Sequence, residues 1–121
     1  MTRKDIQLIQ KIREYLDENL YKEHSITNLC RQFTINREKL QAGFHALVNS
    51  TVHSYIVRQR LDRAARRLLE TDDSIKAIAL DSGYKKQRSF NKTFKATFHF
   101  TPASYRKFHQ QQANTDLKIY K

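Results

Sequence analysis

The segment Ser25-Ile26-Thr27-Asn28-Leu29-Cys30 returns about fifty residues later as Ser74-Ile75-Lys76-Ala77-Ile78-Ala79. The echo continues past it: Thr34-Ile35 aligns with Gly83-Tyr84, Leu40 with Phe90, Phe44 with Phe94 and Asn49 with His99. The offset is 49 before the turn and 50 after it. One short helix, a tight turn and a second helix are therefore laid down twice. This pattern predicts an all-α chain of about seven helices: two helix-turn-helix subdomains joined by a long connector helix. The expected boundaries are 1–50 for the first subdomain, 51–71 for the connector and 72–109 for the second. A polar tail over 110–121 is expected to fray.

Helical spacing fills in the elements. Ile9, Ile12, Leu16 and Leu20 mark a first helix from about Thr2 to Asn19. Ser25 caps a short helix with Ile26, Leu29, Cys30 and Phe33 inward. Asn36 caps the next, which places Leu40, Phe44 and Leu47 on the core and ends at Asn49, a residue that tolerates left-handed backbone. Val57, Leu61, Ala64 and Leu68 define the connector from about Val52 to Glu70. Asp72, Asp73 and Ser74 suit the start of a helix carrying Ile75, Ile78, Ala79 and Leu80. Lys86 to Phe98 follows with Phe90, Phe94 and Phe98 at four-residue spacing. Thr101-Pro102 opens the last helix, through Tyr105 and Phe108.

The chain holds 23 Lys/Arg against 12 Asp/Glu, a formal charge of +11. The excess is uneven: 8 against 6 in residues 1–50, 11 against 5 in 51–100 and 4 against 1 in 101–121. Lys85, Lys86, Arg88, Lys92 and Lys95 form the densest cluster, with no acid among them. Such charge favours polyanions through counterion release. Two glycines and one proline leave little punctuation for a sheet protein. The single cysteine, Cys30, cannot close an internal disulfide and is expected as an inert core thiol, in keeping with a cytoplasmic setting. No apolar run approaches the roughly 20 residues of a membrane span, so no membrane partner is expected. Five histidines lack ligand spacing for a metal, no catalytic constellation occurs, and neither cofactor nor enzymatic activity is expected.

A helix-turn-helix inserts its second helix into the major groove, which recurs on one face of B-DNA about every 34 Å. A connector of about 19 residues is roughly 28 Å long, which puts two such helices near that separation within a monomer. On the first recognition helix the groove face is then Arg37, Glu38, Gln41, Ala42 and His45. Glu38 can accept from cytosine, Gln41 can pair with adenine and Ala42 can touch a thymine methyl. On the second it is Lys86, Gln87, Arg88, Asn91, Lys92 and Lys95. Arg88 suits bidentate guanine contact, Gln87 and Asn91 suit adenine, and Lys92 and Lys95 suit phosphates. A helical protein-interaction module that docks on RNA polymerase or a sensor domain is the competing reading of the same features.

The stretches Tyr55-Ile56, Arg60-Leu61-Asp62-Arg63-Ala64 and Leu68-Leu69-Glu70-Thr71-Asp72 resemble the connector of the AraC/XylS transcription regulators. The resemblance is closer in Ile75, Ile78-Ala79, Gly83-Tyr84, Phe90, Phe94-Lys95, Phe98, Thr101-Pro102 and Tyr105-Arg106, and covers about residues 5 to 108. It implies a bacterial DNA-binding domain of seven helices that acts more often as activator than repressor, with RNA polymerase as a further partner. An N-terminal effector-binding sensor domain usual in that family does not fit in 121 residues, so an excised C-terminal domain is preferred over a stand-alone regulator. Lys86 stands for the family's acid after Gly-aromatic and Arg88-Ser89 for its Ser-Tyr. Lys92 stands for a common arginine, and Thr34, Asn49 and His99 stand for glycines.

Overall fold

The computed structural model describes residues 1–119, with side chains described through Gln112. Among the described residues it contains seven α-helices and no strand. They are α1 (Arg3–Glu18), α2 (Ile26–Phe33), α3 (Arg37–Val48), α4 (Val52–Glu70), α5 (Ile75–Asp81), α6 (Gln87–Phe98) and α7 (Pro102–Ile119). The helices form two compact units, Met1–Arg60 and the residues from Leu61 onward, so α4 supplies residues to both.

Much of the repeat is reproduced in its hydrogen bonds. The Ser25 hydroxyl accepts from the Asn28 amide at 3.1 Å, and that of Ser74 accepts from Ala77 at 3.1 Å. Each bond satisfies one of the amides a helix start leaves orphaned. Across the turns, the Ile35 amide donates to the Cys30 carbonyl at 3.1 Å and that of Tyr84 to Ala79 at 3.0 Å. The correspondence also reaches beyond the two helices. Thr51 Oγ1 accepts from the Ser54 amide and Thr101 Oγ1 from that of Ser104. Tyr55 meets Phe44 edge-on at 5.4 Å between ring centroids, and Tyr105 meets Phe94 at 5.3 Å. Thr-x-x-Ser-Tyr is thus a third shared segment, one that opens α4 in one copy and α7 in the other.

In the first unit Ile9, Ile12, Leu16 and Leu20 pack on Leu29, Ile35, Leu40 and Phe44, with Val52, Tyr55 and Ile56 closing the core. In the second, Leu61, Ala64, Ala65 and Leu68 are buried along with Ile78, Ala79, Phe90 and Phe94. Several expectations of burial fail. Leu47 is 39% exposed, because it lies on a helix face that no other described element covers. Val57, Phe98 and Cys30 are only half-buried. Tyr55 and Ile56 take the core position expected of Val57. Over the expected tail, α7 continues through Ile119, with good helix formers such as Gln110, Gln111 and Gln112; residues 120 and 121 lie outside the described residues.

Among the described residues, three other than glycine adopt left-handed backbone: Thr34 at φ 51°, Asn49 at φ 60° and His99 at φ 67°. They end α2, α3 and α6. Thr34 is the most strained, since a β-branched side chain fits that region poorly.

Arginines tie the helix ends down. Arg60 donates to the Leu20 carbonyl at 2.9 Å and to that of Lys22 at 3.1 Å, just past the end of α1. Arg106 does the same after α4, reaching the carbonyls of Leu68, Thr71 and Asp73. Both guanidiniums donate to carbonyls in the last turn of a helix or just past its end. In the first unit the Tyr55 hydroxyl donates to Asp17 and accepts from Arg13, which joins α1 to α4. In the second, Arg67 holds Asp73 at 2.9 Å and Asp81 at 2.7 Å. The Arg67 hydrogen bond keeps the Asp73 carboxyl below the usual carboxylate range.

Candidate nucleic-acid interface

Each recognition helix is fixed by two buried rings or branches four residues apart, Leu40 and Phe44 on α3 and Phe90 and Phe94 on α6. At about 100° per residue, the side chains opposite those anchors follow directly. On α6 they are Arg88, Lys92 and Lys95, all on the outward side and all exposed. On α3 the residues in register are Glu38, Ala42 and His45. The two helices therefore present the same geometry with opposite electrostatics, three cations on one and an acid, a methyl and an imidazole on the other.

The flanks differ as well. Arg37 is exposed, and its guanidinium donates to the Thr27 hydroxyl of α2 at 3.4 Å. Gln41 and Gln87 are exposed. Asn91 departs from the expectation: it is half-buried, and its Oδ1 is buried without a hydrogen-bond partner among the described residues. It lies about 80° around the helix from the anchor direction, at the edge of the packed face. One methylene shorter than Gln41, it keeps its amide against the helix. Ser89, absent from the expected groove face, is exposed within about 60° of the outward direction. The same angular count applied to the sequence would have found it.

The helix starts contrast too. Asn36 Oδ1 accepts from the Lys39 amide at 2.8 Å and caps α3. Lys86, placed by the sequence in the helix, is instead the cap residue of α6 and makes no side-chain cap bond. The first turn of α6 thus leaves its amides without a side-chain acceptor from the cap residue, beside exposed Lys85, Lys86 and Arg88. Partial positive charge at a helix start and three cations together make this the most anion-attracting feature of the second unit.

Residues 29–107 match the family described as "Helix-turn-helix domain". The chain is 33% identical over 100 residues to the regulatory protein SoxS of Salmonella typhimurium, covering 83% of this chain and 94% of SoxS. It is 30% identical over 102 residues to the transcriptional activator RhaR of Mannheimia succiniciproducens, covering 84% of this chain and 37% of RhaR. Its fold is similar to that of an AraC-type regulator from Chromobacterium violaceum (TM-score 0.77, 23% identity, 84% of this chain and 90% of that one). It is equally similar to the DNA-binding domain of AdpA, solved with a target DNA (TM-score 0.77, 20% identity, 86% and 94%). Among the described residues no helix is long and apolar enough to cross a membrane. With its duplicated helix-turn-helix units and this pattern of relatives, the chain belongs to the AraC/XylS-type transcription regulators, as the DNA-binding domain of that family.

Proposed function

We propose that the chain binds double-stranded DNA sequence-specifically, with α3 and α6 entering successive major grooves, and that it activates transcription through contact with RNA polymerase. The observation that carries the reading is the outward face of α6. Arg88, Lys92 and Lys95 stand on the side opposite Phe90 and Phe94, and the helix start is uncapped. Continuity of α4 over 19 residues, roughly 28 Å, supports its role as the connector between the two readers. In this reading the Lys86 and Lys92 ammonium groups and the α6 amides hold phosphates, and Arg88 reads guanine. Arg37, Glu38, Gln41, Ala42 and His45 read the other groove, with Glu38 excluding bases that offer only acceptors. The name of RhaR supports activation. XylR, described as a xylose-binding activator, carries the matched fold in 28% of its length, which supports pairing of such a domain with an effector-binding one.

The test is selection of bound duplexes from a random pool, followed by salt titration. Lys92→Ala should weaken binding to all sequences and flatten the log–log salt slope by about 0.9. Arg88→Ala should cost about 1–3 kcal/mol and relax preference at one base pair. Failure to bind any duplex at any salt would refute the reading and favour a protein-interaction module.

A further inference from the structure

We propose that the face of the second unit built on Phe100 and Phe108 is a docking surface for an acidic protein segment with aromatic or leucine anchors. The proposal does not depend on the DNA reading above.

The repeat shows what the fold itself requires at this face. At an offset of 50, Phe44 matches Phe94, Val48 matches Phe98 and Tyr55 matches Tyr105, and these positions pack in both copies. The positions around them diverge. Ser50 and Arg58 of the first copy stand where the second carries Phe100 and Phe108. The end of α4 repeats α1 at an offset of 52, since buried Ile9, Ile12 and Leu16 match buried Leu61, Ala64 and Leu68. That register puts Leu69 at the position of Asp17, the carboxylate that accepts from the Tyr55 hydroxyl. Three positions are therefore polar in one copy and apolar in the other, and the first copy closes its core without them.

The surplus apolar groups stay open to solvent. Phe108 is 45% and Leu69 40% exposed. Phe100 is half-buried, and its ring stacks on Phe108 at 5.2 Å between centroids and 26° between planes. His109 meets the other edge of Phe108 at 5.4 Å. Arg106 donates to the Leu68 carbonyl at 2.8 Å, so this stretch of α7 runs beside the end of α4 that carries Leu69. Apolar surface that a core does not use marks an interaction site. Rings already stacked on one another lose little freedom when a partner covers them, and such aromatic anchors carry most of the energy of an interface.

Charge selects the occupant. No acid occurs from Ser82 through Thr115, and exposed Lys107 stands next to Phe108. Beside Leu69 on α4, the charges of Arg66 and Glu70 offset each other. A second copy would bring its own +11 to this face, which opposes self-association, whereas an acidic segment is drawn to it. The face is also clear of the outward side of α6. Its rings run from inward-facing Phe94 through Tyr105 to Phe100 and Phe108, with successive centroids 5.3, 6.5 and 5.2 Å apart. Arg88, Lys92 and Lys95 lie on the side opposite Phe90 and Phe94, so occupancy leaves those cations open.

The experiment uses the 121-residue chain and three short peptides, followed by amide chemical shifts without DNA. The first sets phenylalanines and a leucine among glutamates; the second has alanine for those anchors, and the third has lysine for the glutamates. The first should give saturable shifts centred on Leu69, Phe100, Lys107 and Phe108, half-saturating at about 0.1 mM. The alanine peptide should bind about tenfold more weakly, since its apolar area is gone, and the lysine peptide should not saturate. Phe108→Arg gives the second copy the residue of the first. It should abolish saturation despite the added positive charge, while the melting temperature stays within about 3 °C of wild type, as at other surface positions. Leu69→Ala, which adds no charge, should weaken binding about threefold. A larger loss of melting temperature in Phe108→Arg makes the ring pair part of the core and overturns the proposal. Equal binding of the two glutamate peptides, shifts centred on Arg88, Lys92 and Lys95, or no saturation does the same. Sedimentation of the chain alone completes the test: a dimer broken by Phe108→Arg would assign the face to a second copy and overturn the acidic partner.

Discussion

In the DNA-binding arrangement we propose, Lys86 sets stability against DNA affinity, and the repeat supplies the control. Replacing Lys86 by asparagine gives α6 the cap that α3 already has in Asn36, whose Oδ1 accepts from the Lys39 amide at 2.8 Å. The introduced amide oxygen would accept from the Ser89 backbone N–H, three residues on. A side-chain cap contributes about 1 kcal/mol, and removal of a cation from the positive end of the helix dipole adds a few tenths. The melting temperature should rise by roughly 4 °C, read by far-ultraviolet circular dichroism. At the same time one positive charge leaves the α6 start, so the salt slope of duplex binding should flatten by about 0.9 and affinity should fall at low salt. Asn36→Lys is the mirror experiment: it should destabilise by about 1 kcal/mol, because it deletes the cap that is present. Stability unchanged in both variants would refute the capping argument. A stabilised Lys86→Asn with undiminished affinity would remove Lys86 from the DNA face.

Thr34→Gly should stabilise by about 0.5 kcal/mol, the left-handed strain relieved less the entropy glycine adds to the unfolded chain, whereas Asn49→Gly should be near neutral; denaturant midpoints decide. Arg106→Ala should cost about 2 kcal/mol, and Arg106→Lys should recover little of it, because three carbonyls are reached by one planar fork. Tyr55→Phe should lose about 1.5 kcal/mol with its bond to Asp17. Burial first, and then the hydrogen bond to Asp17, raise the Tyr55 pKa above its ordinary value. The stabilisation tied to its protonated form is therefore complete below the unfolded-state tyrosine pKa and is lost as pH climbs through the higher folded value. Wild type should lose stability in that alkaline window more steeply than Tyr55→Phe in parallel urea titrations.

The helices were legible in the sequence because their determinants are local. Ser25, Ser74 and Asn36 cap through bonds to amides three residues on, and such a bond is written into the spacing alone. The repeat made them doubly visible. The outward triad Arg88, Lys92 and Lys95 was equally legible, since Phe90 and Phe94 fix the helix rotation. Asn91 was not, because a residue at the flank of a helix is covered or bare according to its neighbours rather than its spacing.

By itself, then, the sequence determined seven helices, their caps, the two copies and the basic bias of the second. Tertiary structure decided the rest. Leu47 satisfies the helical pattern yet stays exposed, while Tyr55 enters the core in place of Val57. Arg60 and Arg106 look like surface charge in the sequence yet seal the ends of helices some 40 and 38 residues away. Local hydrogen bonds act within one turn and can be read in order along a chain. Burial and long-range capping depend on which faces meet, and that is settled only when the helices pack.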